Sequence, residues 1–242
     1  NALLKKIFLI QVPLKHSDHS IEFFEALNNR GKNLSLVDRL QFKSLTWSRT
    51  QPNFNSDDLN TKWKKLFKEI EDCKYYNEHE DFYIDLFVSL KHSEFTAKSN
   101  IGKTREDSYV EFFETQFLDR DILDDFFIKS TYILKFINDI TDARNSSTRE
   151  WINSGTYTAK GISPDKKNRA TALLIIMNEV LKSSKASRHL LIHLLYENNP
   201  KTQMVTVLSG IWNIIKITIS NDFIFGYIPR DVRRKTNKIA YL

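Results

Sequence analysis

The chain has 242 residues and a formal net charge of +6, with 27% charged and 41% hydrophobic residues, so it is long enough to bury a substantial core in one or two domains. Six glycines and five prolines are few for this length and disfavour a fold of many short strands joined by turns. A single cysteine, Cys73, excludes an internal disulfide and any zinc site built on paired cysteines, and no apolar stretch approaches the roughly 20 residues that a bilayer span needs.

In chain order, Ile7–Val12 (IFLIQV) is a β-prone run stopped by Pro13 and is the one strand candidate. Residues 18–29 read as a helix carrying Ile21, Phe24 and Leu27 on one face, with Gly31 placed to end it. Ser35-Leu36-Val37-Asp38 resembles a capping box opening a second helix, with Leu36, Leu40 and Trp47 inward. A third helix opens near Asp57, where Leu59, Trp63, Leu66, Phe67 and Ile70 recur at helical spacing.

A fourth spans about 78–90 with Phe82, Leu86 and Leu90 aligned, and the polar stretch 91–108, containing Gly102, reads as a loop. Helices follow over 109–118 and 120–142, the latter with Ile122, Phe126, Ile133, Phe136, Ile137 and Ile140 as its apolar positions. A short helix holds Trp151, and residues 155–165 are irregular. Pro164 suits the first turn of a helix containing Ala172, Ile175, Ile176, Val180 and Leu181, and segments 190–196 and 202–220 complete the series before a mixed tail. The reading is about ten helices without a repeating period: a mainly all-α, irregular multi-helix array with one short N-terminal β-strand.

Residues 23–39, Phe-Phe-Glu-Ala-Leu-Asn-Asn-Arg-Gly-Lys-Asn-Leu-Ser-Leu-Val-Asp-Arg, carry the most informative pattern. It resembles the F-x-x-L-N-x-R-G-x-x-L-S-x-x-D signature of the GmrSD family, nucleotide-dependent bacterial restriction proteins that attack modified phage DNA. Phe24, Leu27, Asn28, Arg30, Gly31, Leu34, Ser35 and Asp38 fall on it. The likeness covers about the first fifty residues, and the run Ile7–Val12 sits where such proteins place a strand. It implies that residues 1–50 end the family's N-terminal domain and that 51–242 form a helical scaffold, with a candidate internal boundary near 93–108.

The family's Asp-Gly-Gln-Gln-Arg nucleotide motif and its His-based nuclease motif are not in this sequence. The resemblance therefore implies the non-catalytic helical middle of an NTP-dependent endonuclease, with no catalytic residue and no cofactor of its own. The NTP and a divalent metal would belong to the parent protein, whose N-terminal and C-terminal domains would be this segment's partners, with DNA as a further candidate. The first residue, Asn1, fits a segment of a longer protein, and the lack of a leader-like opening or a membrane span fits the cytoplasm.

The motif also has a physical reading. Gly31 can adopt the left-handed conformation that closes a helix, and Ser35 with Asp38 restarts the chain in a new direction. Asn28, Arg30, Gly31 and Lys32 then form a corner able to grip a phosphate or base, or, alternatively, to hydrogen-bond the neighbouring loop and fix the bend. A DNA-reading helix–turn–helix is a third option, against which stands the apolar character of the second helix.

Other constellations read more plainly. Residues 97–104 (AKSNIGKT) match a loose Walker A pattern, but nothing in the sequence supplies the preceding buried strand, so a solvated loop is expected. His189 and His193 are spaced as a metal pair yet lack a third ligand, and a partly buried pair beside Leu190, Leu191 and Leu194 is expected instead. Asp119, Asp121, Asp124 and Asp125 suit a helix's first turn. The densest basic cluster, Arg230, Arg233, Arg234, Lys235 and Lys238, flanked by Tyr227 and Tyr241, is a candidate nucleic-acid contact or else an exposed end. A stand-alone helical interaction module able to hold nucleic acid is the alternative to the restriction reading.

Overall fold

A computed structural model describes residues 34–52, 54–76, 78–97, 105–141 and 164–225. The chain divides into two compact units, residues 1–35 and 36–242. The first lies almost wholly outside the described residues, as do the strand candidate Ile7–Val12, the helix at 18–29 and the segment around Trp151.

The described residues of the second unit form eight helices and no strand: α1 (Leu36–Thr50), α2 (Ser56–Glu71), α3 (His79–Ala97), α4 (Arg105–Phe117), α5 (Arg120–Thr141), α6 (Pro164–Ser183), α7 (Lys185–Glu197) and α8 (Met204–Phe225). The all-α expectation holds. The helix at Leu36 belongs to the second unit.

Local chemistry accounts for the helix ends. The Asn55 side chain accepts from the backbone N–H groups of Asp57 (3.0 Å) and Asp58 (3.4 Å), capping α2. Asp119 caps α5 in the same way through Asp121 and Ile122, and Ser184 caps α7 through the Ser187 N–H. Pro164 opens α6, where its missing N–H costs nothing. The start of α1 is satisfied across the fold: the Leu36 N–H donates to Glu80 Oε1 of α3 at 2.9 Å.

Two corrections concern the middle of the chain. Helix α3 runs on to Ala97, interrupted at Lys91 (φ −144°, ψ 45°), and α4 begins at Arg105, so much of 91–108 is helical. Helices α3 and α4 pack against each other within the second unit, and residues 98–104 between them lie outside the described residues. Ile122, expected inward, is exposed, because Leu123 takes the buried position in the first turn of α5.

The core has two chemically distinct halves. Helices α1–α5 bury an aromatic cluster centred on Trp63, whose ring meets Phe127 edge-on at 5.1 Å and lies 5.6 Å from Phe67, 6.1 Å from Tyr83 and 6.3 Å from Phe113. Its indole Nε1–H donates to Ser44 Oγ of α1 at 2.8 Å, which in turn donates to the Gln41 carbonyl. Thus one α2 residue touches α1, α3, α4 and α5. Among the described residues, the apolar side chains that helices α6–α8 bury are aliphatic or methionine, among them Leu174, Met177, Leu181, Leu191, Leu195, Ile211 and Ile215, with the polar Asn178, Ser187 and Thr218 buried beside them. Gly210 lets α8 approach α7, since a Cβ there would stand 2.5 Å from Leu194 Cδ2. The halves meet where α7 packs on α3 and α5, and α6 on α5.

Two substitutions separate packing from polar satisfaction in the aromatic half. Ser44→Ala strands the buried indole N–H of Trp63 and is expected to cost about 1–3 kcal/mol. Tyr83→Phe removes a buried hydroxyl with no hydrogen-bond partner among the described residues and is expected to be neutral or stabilising by up to about 1 kcal/mol. Urea unfolding midpoints of the two variants check both, and a destabilised Tyr83→Phe would show that this hydroxyl is bonded.

Candidate functional site

The residues singled out from the sequence, Asn28, Arg30, Gly31 and Lys32 at the corner and Arg230, Arg233, Arg234, Lys235 and Lys238 in the tail, lie outside the described residues. The structure does describe the helix that follows the corner. Leu34 and Ser35 are not helical, α1 starts at Leu36, and Leu36, Val37 and Leu40 are buried. Trp47 is only half-buried, set edge-on against Phe54 at 5.3 Å. Besides the Glu80 bond, Arg39 pairs with Asp107 of α4, and Lys43 pairs with Glu114 at 2.8 Å. The first turn of α1 is therefore fastened to α3 and α4 by backbone, charge and apolar contacts together.

The most unusual chemistry lies between α3 and α7. Asp85 sits on the buried stripe of α3 with Phe82 and Leu86, and its carboxylate is nearly enclosed. Arg188 Nη1 donates to Oδ2 at 2.9 Å, His189 Nε2 contacts Oδ1 at 3.0 Å, and the Tyr76 hydroxyl donates to Oδ2 at 3.4 Å. A carboxylate only accepts, so the His189 nitrogen facing it carries the proton. The Arg188 guanidinium lies 4.8 Å over the Tyr75 ring, and the Tyr75 hydroxyl donates to the Leu181 carbonyl at the end of α6.

Burial alone would push the Asp85 carboxyl up. The bonds from His189 and Arg188, with the charge of Arg188, outweigh it and hold the carboxyl below its usual range. Burial raises the Tyr76 hydroxyl well above the usual tyrosine value, and the Asp85 charge adds to that.

A carboxylate paired with an imidazole is the orienting part of many general-base devices. Here the carboxylate's bonds go to groups from the same core, and the arrangement works as a clamp between helices. The histidine expectation is corrected accordingly: His189 is half-buried against Asp85, whereas His193, one turn on, is exposed, so the two do not form a buried pair. No group of three or more His, Cys, Asp or Glu side chains able to hold a metal occurs among the described residues. The acidic run serves structure: Asp119 caps α5, Asp124 pairs with Lys62 at 2.8 Å, and Asp125 pairs with Lys129 at 2.9 Å. The residues leading into the Walker-like stretch are the helical end of α3, not a strand, and 98–104 lie outside the described residues.

Sequence reasoning missed a groove of about 690 Å³ between α2, α5 and the turn joining α7 to α8. Lys62, Lys65, Lys135 and Lys201 line it, and Ile128 is set among them with 62% of its surface exposed. The volume suits a small ligand. Carboxylates already meet two of the lysines: Lys62 bridges Asp58 and Asp124, and Lys135 pairs with Glu69 at 3.2 Å. The cue in the sequence was Ile128, an apolar residue on the charged face of α5; Asp85, a charge on an apolar stripe, was its mirror image.

No family model matches this sequence, and no curated protein or solved structure is significantly similar to it. No helix among the described residues is long and apolar enough to cross a membrane.

The clamp makes a signed prediction. Asp85→Asn leaves Arg188 facing a neutral amide and is expected to cost about 2–4 kcal/mol, with a smaller additional loss when Arg188→Met is combined with it than Arg188→Met causes alone. Because the folded Asp85 carboxyl is depressed, its stabilisation is complete above the ordinary carboxylate pKa and vanishes as the pH falls through the lowered folded value. Thermal melts from neutral to acid pH should therefore show the wild-type advantage over Asp85→Asn shrinking on acidification. A constant difference would contradict this.

Proposed function

We propose that this chain is the helical scaffold region of a GmrSD-like, nucleotide-dependent restriction protein that acts on modified phage DNA. The observation carrying the reading is the signature from Phe24 to Asp38, eight positions in one short stretch. The way α1 is held supports it. The helix that follows the corner has its first buried residue bonded to Glu80 and its Arg39 paired with Asp107. A helix fixed in this manner is a rigid mount, and sites that bind phosphates need their donors held against a firm support.

In this reading Asn28, Arg30 and Lys32 brace or complete the nucleotide site of the parent protein. The divalent metal and the nuclease chemistry belong to other parts of that protein, which works in the bacterial cytoplasm. The alternative is an interaction module that holds nucleic acid, favoured by the basic run Arg230–Lys238 and by the lysines of the groove.

One comparison separates them. In the parent protein, Asn28→Ala with Arg30→Ala should abolish nucleotide-dependent cleavage of modified DNA and restore phage plating. In the isolated chain, the same pair should leave the circular dichroism spectrum and melting temperature unchanged. Full cleavage by that variant would contradict the restriction reading. If instead Arg233→Ala with Arg234→Ala weakens DNA binding by this chain and lowers its salt slope by roughly 2, the nucleic-acid module takes its place.

A further inference from the structure

We draw no further inference here: the strongest candidate, the lysine-lined groove between α2, α5 and the turn joining α7 to α8, has Lys62 and Lys135 already met by carboxylates of this chain, and nothing in the structure shows what would fill it.

Discussion

One buried carboxylate determines whether the two halves of this fold act together. Asp85 projects from α3, in the aromatic half, and is met by Arg188 and His189 of α7, in the aliphatic half. An ionised carboxylate is tolerated in such a place only when its oxygens are bonded, and both of them are. The same pairing then discriminates among packings, because any register of α7 that moves Arg188 away leaves a charge stranded.

Further polar contacts run along the same seam. The Tyr132 hydroxyl of α5 donates to the Leu195 carbonyl at 2.9 Å, and the Tyr75 hydroxyl reaches the Leu181 carbonyl at 3.0 Å. Burial, with Asp125 nearby, pushes the Tyr196 hydroxyl up to about 12 at the far end of α7. Each half supplies its own apolar core, one through rings around Trp63 and the other through branched aliphatic side chains. Apolar burial is non-directional, so the seam is where orientation is set. A Ser187–Thr218 hydroxyl pair at 2.6 Å extends this polar register from α7 to α8.

The helices were legible in the sequence because their apolar positions recur at helical spacing, as Leu59, Trp63, Leu66 and Ile70 do on α2. Their ends were less legible. Asn55 and Asp119 cap through side-chain geometry that adjacent acidic residues obscure, and the charged run after Lys91 continues as helix where composition suggested a loop. The Asp85 clamp was invisible because its members lie about a hundred positions apart and no local pattern joins them. His189 and His193 looked alike by spacing, yet on α7 one meets Asp85 and the other is exposed to solvent. The groove arises from three separate segments, so only its lone exposed Ile128 left a trace in the sequence.

The anchoring of α1 and the clamp meet at α3. This helix receives the start of α1 through Glu80 and grips α7 through Asp85, so the anchor of α1 and the seam share one rod. Native-state hydrogen exchange, followed segment by segment in wild type and Asp85→Asn, tests the central claim most directly. The account predicts that amides of α6 and α7 lose protection in the variant while those of α2 and α5, around Trp63, retain theirs. Equal loss along the whole chain, or unchanged protection in α7, would contradict it.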